Sequence, residues 1–282
     1  MITTREVEIR LDKISFLIYK ASLLEAHQEY ELLLEEIQQT MSSSPTAAAE
    51  NEEKEKEGIQ KLMETNQEML DGLRERYREI DQTIHECTSS HEEWTLGSER
   101  FGVPTYYRVD DDGLLCLRLE GSQETPIFEQ MAVLYEVALH NEWVPFCDQS
   151  NLLKKMCKFA DHRPDFLFQL SPDLTLAHSE FIWYSRISTP VAIRDLVVHL
   201  YAADCTKEKG CIAFVGKSVH EYPTVEMPPE PNPFFGYRVD IKFVRGIISI
   251  ESPTMAKVTV NSLVHSDWSE SNDRLSFLRR LM

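Results

Sequence analysis

The stretch STPVAIRDLVVHLYAAD, residues 188–204, decides the fold. Pro190 fixes its own φ and pushes Thr189 toward extended backbone, so the run Glu180–Ile187 ends here and a new element begins. Leu196, Val197, Val198, Leu200 and Tyr201 are aliphatic, β-branched or aromatic, which marks a strand covered on both faces. The two runs are expected to pair antiparallel across the turn. Arg194 and Asp195, being adjacent on a strand, point to opposite sides, so each needs its own partner.

Short strand candidates continue downstream at Cys211–Val215, Tyr237–Val244, Gly246–Ile250 and Ala256–Val264. They are separated by Lys207–Gly210, a Pro-rich loop, Arg245-Gly246 and Ser252-Pro253, the spacing of an antiparallel meander. Upstream, Thr105–Val109 and Leu114–Leu119 flank Asp110-Asp111-Asp112-Gly113, a hairpin signal. Between the two groups Ile127, Met131, Leu134 and Ala138 recur at helical spacing, predicting a helix over Ile127–Leu139.

Residues from about Trp94 to Ser266 resemble a START domain, the steroidogenic-acute-regulatory-related lipid-transfer module. The resemblance runs through WTLGSERFGVPTYYRV, LCLRLEG, AVLYEVALHNEWVPFC, SEFIWYSRISTPVAIRDLVVHLY, CIAFVGKSVHEYPTVEMPP and GYRVDIKFVRGIISIESPTMAKVTVNSLVHSDW, in that order. It implies an α+β helix-grip fold of the START/Bet v 1-like kind, a curved antiparallel sheet around a C-terminal helix that encloses a cavity for one lipid. It also implies a non-catalytic carrier or sensor. The cavity-facing residues it suggests are Glu180, Ile182 and Tyr184 on the first central strand, with Leu196, Val198 and Leu200 on the second. Only Glu270–Met282 remains for the closing helix, about half the expected length, so this lid is short or truncated. Sterol-carrying members of the family set an acidic residue against a basic one across these strands. With one residue inserted at the turn Glu180 takes the acidic place, but the basic place falls at Leu200, so sterol specificity is not implied. Glu180 then needs a cation such as Arg186 or Arg238, or an outlet to solvent.

The first ninety residues differ in kind. From about Thr4 to Thr40 no Gly or Pro occurs, and Leu11, Ile14, Ile18, Ala21 and Leu24 specify one long amphipathic helix. A low-complexity linker near residues 42–57 follows, and Ile59, Leu62, Met69, Leu73, Tyr77, Ile80 and Ile84 mark a second helix with near-heptad spacing. Residues 1–90 are therefore read as a helical hairpin packing on itself and on the domain at 91–282, or as a coiled coil serving a homo-oligomer or a protein partner.

With 42% hydrophobic and 27% charged residues, and no apolar run near the roughly 20 residues that span a bilayer, the composition is that of a soluble globular protein. MITTREVEIRLDK carries no apolar signal-peptide core, so the six cysteines are read as reduced thiols of a cytoplasmic protein, peripheral at membranes at most. A net charge of −18 argues against nucleic acid as a partner and against standing attachment to an anionic membrane surface, while the resemblance implies a lipid ligand with transient membrane contact.

Enzyme signatures are weak. Gly210 and Gly216-Lys217-Ser218 approach a phosphate-binding loop, but CIAFV between the glycines is a strand sequence. Cys147, Cys157 and His162 lack zinc spacing, so neither metal nor cofactor is expected. No G-x-S-x-G elbow occurs, and His199 within a strand reads as a structural histidine. The alternatives carried forward are a coiled-coil adaptor with a ligand-free START-like domain, and a cavity hydrolase or cyclase using Glu180, Tyr184 and His199. The Pro-rich run Tyr222–Pro233 is expected as a loop at the cavity rim.

Overall fold

A computed structural model describes residues 2–42, 49–100, 102–109, 115–144, 146–156, 180–188, 193–232 and 234–265. Four helices come first: α1 (Thr4–Tyr19), α2 (Leu23–Ser42), α3 (Ala49–Thr65) and α4 (Gln67–Thr88). The strands β1 (Thr95–Arg100), β2 (Val103–Val109) and β3 (Leu115–Gln123) lead into α5 (Ile127–Tyr135), a 3₁₀ turn at Val137–Leu139 and the short α6 (His140–Trp143). Then follow β4 (Cys147–Met156), β5 (Glu180–Ser188), β6 (Ile193–Cys205), β7 (Cys211–Ser218), β8 (Gly236–Arg238), β9 (Asp240–Ser252) and β10 (Met255–His265). The helix expected over Glu270–Met282 lies outside the described residues.

One curved, almost wholly antiparallel sheet runs in the order β1-β2-β3-β10-β9-β7-β6-β5-β4. The expected pairing of the two central runs is present, with Ser188 opposite Ile193 and Phe181 opposite Leu200. Two features depart from a plain meander. β8 lies parallel to β6, with Asp195 opposite Arg238. β9 runs unbroken through Arg245-Gly246, where a turn was expected. Gly246 is there for space: a Cβ on it would stand 2.3 Å from the Phe214 ring, which lies across it from the neighbouring strand.

The N-terminal helices also divide differently. The single long helix expected over Thr4–Thr40 is two, α1 and α2, folded back on each other. The break is at Ala21, which adopts a left-handed φ of 53°. The Ser22 and Ala21 N–H groups donate to the Leu17 and Ile18 carbonyls, closing α1, and the Ala21 carbonyl accepts from the Asp204 N–H of β6. A tertiary contact thus holds a turn that the local sequence does not announce. Arg10 and Lys13 on α1 pair with Glu29 on α2, locking the hairpin. The linker read near 42–57 is narrower, because α3 already starts at Ala49.

These helices lie on one face of the sheet. Val7, Leu11, Ile14, Ala26, Tyr30, Leu33, Ile59, Leu70, Leu73 and Ile80 share a single apolar core with Tyr201, Ala203 and Cys205 of β6, Ala213 and Val215 of β7 and Ile247 of β9. At the far end Arg118 of β3, buried, donates to the carbonyls of Glu86, Cys87 and Ser89, capping α4 with a guanidinium, and pairs with Glu120. Arg245 of β9 meets Glu86 of α4. The opposite face carries α5, where Ile127 and Met131 pack on Ala202, Ile212, Phe214, Ile248 and Ala256.

Candidate ligand-binding face of the sheet

The antiparallel register of β5 and β6 decides which side chains meet. Directly opposed residues share a face, and the ladder pairs even-numbered positions of one strand with odd-numbered positions of the other. Phe181, Trp183 and Ser185 therefore stand with Leu200, Val198 and Leu196 on the α5 face. Glu180, Ile182 and Tyr184 stand with Tyr201, His199 and Val197 on the helix-covered face. The six residues singled out from the sequence do not line one surface; they split three and three. Counting both strands at the same parity misses this, because parity inverts when the register sum is odd.

The α5 face is an apolar wall with few polar groups. Val198 is fully buried, and Leu196 and Leu200 are half-buried. Leu200 joins Val244, Val258 and Val260 around Phe214 and Ile248. Phe181 and Trp183 stand with ring centroids 5.6 Å apart. The polar exceptions form a chain: the Trp183 indole N–H donates to Ser185 Oγ at 3.2 Å, and Ser185 Oγ lies 3.0 Å from Ser150 Oγ. At the end of β6, Arg194 donates to the Tyr237 hydroxyl at 3.0 Å. The residue that faces Leu200 is Phe181, so this cross-strand pair is apolar rather than acidic against basic.

Glu180 does find a cation, on the other face. Arg76 of α4 donates to one carboxylate oxygen at 2.6 Å and His199 Nε2 lies 2.8 Å from the other. Neither Arg186 nor Arg238 serves it. Arg238 instead grips the fully buried Asp195, at 3.1 and 3.2 Å, so the Arg194-Asp195 pair separates to two partners as adjacent strand residues must. Tyr201 donates to Glu79 of α4, and its hydroxyl pKa is pushed upward by burial and then by that carboxylate. Arg76 and Glu79, which dock α4 to the sheet, escape sequence reasoning because nothing local ties them to strands more than a hundred residues away.

The Pro-rich loop also lies on the helix-covered face, not at a rim of the α5 side. Tyr222, Val225 and Met227 pack on Ile182, Tyr184 and Val197, and the Pro228 carbonyl accepts from Arg238 at 2.9 Å. The described cysteines are free and buried. Burial pushes the Cys87 thiol up to about 12 and Cys211 up to about 11, which makes both poor nucleophiles near neutrality. Cys157 and His162 lie outside the described residues.

No family model and no curated protein matches the chain. Among solved structures it is similar to human StAR-related lipid transfer protein 5, at 15% identity, with 73% of this chain and 89% of that chain covered and a TM-score of 0.50. It is also similar to human STARD10, at 13% identity, covering 72% and 76%, with a TM-score of 0.49. The strand order, the helix between β3 and β4 and the curvature of the antiparallel sheet together give the chain the START fold, of the helix-grip kind, extended at its N-terminus by α1–α4.

Proposed function

We propose that the protein binds a single hydrophobic ligand, a lipid, against the α5 face of the sheet, and that it serves lipid transfer or lipid sensing without catalysis. The observation that carries this reading is the composition of that face: aliphatic and aromatic side chains of β5, β6, β7, β9 and β10, with the Trp183–Ser185–Ser150 chain, the Arg194–Tyr237 pair and the buried Gln130 of α5 as its few polar groups. An apolar wall with few hydrogen-bonding groups suits a lipid whose tail gains about 0.8 kcal/mol per buried methylene and whose polar end needs one or two partners. The fold shared with a lipid transfer protein supports it. Leu196, Val198 and Leu200, with Phe181 and Trp183, are the proposed lining. Glu180, Ile182 and Tyr184 serve the packing of α4 and the Pro-rich loop instead.

The cavity-enzyme alternative loses its candidate constellation. Glu180 and His199 are engaged with Arg76 beneath α4 and the Pro-rich loop, on the face away from the lining. The adaptor alternative draws on exposed Ile9, Phe16 and Leu32 of α1 and α2, which leave apolar surface for a partner chain. Transient membrane contact and a cytoplasmic setting remain part of the proposal; no described helix is long and apolar enough to cross a membrane.

Native mass spectrometry of protein purified from cells tests the reading. A retained lipid mass is expected, lost when the half-buried Leu196 is changed to Trp and kept when Glu180 is changed to Gln. A protein that carries no lipid and takes none from vesicles, while remaining folded, overturns it in favour of the adaptor.

A further inference from the structure

On the helix-covered face, at the β4 side of the sheet, two hydrogen-bond donors have no acceptor. Tyr184 is 2% exposed, yet its hydroxyl, which lies against the Arg186 side chain, finds no acceptor, and two residues along the same strand face the buried Nε of Arg186 has none either. The Arg186 guanidinium lies 5.8 Å from the Tyr184 ring centroid. Opposite Arg186 stands Asp195, whose two oxygens are taken by Arg238. Among the described residues no carboxylate forms an ion pair with Arg186. Two guanidinium groups therefore face one carboxylate, leaving an uncompensated positive charge in a protein whose net charge is −18. Gln149 and Asn151 of β4 flank the spot, opposite Arg186 and Tyr184 in the ladder, and the Pro-rich loop roofs it through Val225 and Met227.

Unpaired buried donors cost about 1–3 kcal/mol each, and the half-buried Arg186 guanidinium adds a positive charge that has no carboxylate of its own. Water satisfies a donor but not the excess charge; an anion satisfies both. We propose that Tyr184, Arg186 and Arg238 form a binding site for a small oxyanion, a phosphate or carboxylate group. The guanidinium of Arg186 and the Tyr184 hydroxyl donate to it, and Arg238, held by Asp195 and the Pro228 carbonyl, supplies field from the far side. The site lies across the sheet from the proposed lipid lining, so it stands or falls separately from that reading.

Isothermal titration of the full chain with inorganic phosphate and with acetate, at constant ionic strength against chloride, tests it. Saturable binding of either anion is expected, weakened about ten- to a hundredfold in Arg186→Gln, the loss of hydrogen bonds to a charged group. Tyr184→Phe, which removes the hydroxyl and leaves the ring in place, serves if Arg186→Gln does not fold. In chloride it should melt higher than the parent because an orphaned donor is gone, and in the binding anion the order should reverse. Absence of saturable binding by both anions, or binding that survives both substitutions, overturns the site.

Discussion

A methyl group at residue 246 has nowhere to go. The Phe214 ring occupies the space above Gly246, so Gly246→Ala forces ring or strand to shift and is expected to destabilise the fold by about 2–3 kcal/mol. Phe214→Leu should recover part of that loss in the double variant, read by urea denaturation. Glu180 makes the complementary point. Arg76→Leu strips its cation and leaves a buried carboxylate beside His199, a loss of about 3 kcal/mol by the same measurement. Lipid retention in that variant should be unchanged, because the pair sits on the face away from the proposed lining. Loss of lipid with full stability would put Glu180 back among the ligand contacts.

Between elements, the joint of α2 and α4 is set by His27, whose ring stacks on Tyr77 at 3.7 Å and 7°, with Glu31, Arg74, Arg78 and Asp81 around it. Burial holds the His27 pKa below its ordinary value of 6.5, so the native state binds fewer protons than the unfolded chain. The stability this neutral ring contributes is complete above 6.5 and is lost as pH falls through the lowered native value. Melting temperatures should therefore drop between about pH 7 and pH 5, and His27→Phe, which keeps the stack and removes the proton site, should flatten that slope. The β5–β6 hairpin and most other strands were legible because β-branched runs between turn residues mark themselves. The break at Ala21 was not, since no Gly or Pro stands there and a β6 N–H from the far half of the chain fixes it. Nor was the side of the sheet on which Ile182 and Tyr184 stand, because facing follows from the pairing register and not from either strand alone. Gly246 read as a turn for the same reason: its cause is a ring on the next strand.

For the molecule as a whole, α1–α4 and the sheet share one core, so residues 1–90 are not a detachable appendage. Calorimetry should show a single unfolding transition, and a chain beginning at residue 91, with Tyr201, Ala203, Val215 and Ile247 stripped of cover, should be insoluble or molten. Two separate transitions, or a well-folded truncated chain, would show the opposite. α4 is fastened at Arg118 and Arg245 near one flank and at Tyr201 and Glu180 toward the other. A rod bolted across the back of a bowl stops the bowl from flattening. Any change in the bend of the sheet must then come from the strands beyond the last bolt, while the stretch between the bolts keeps its curvature.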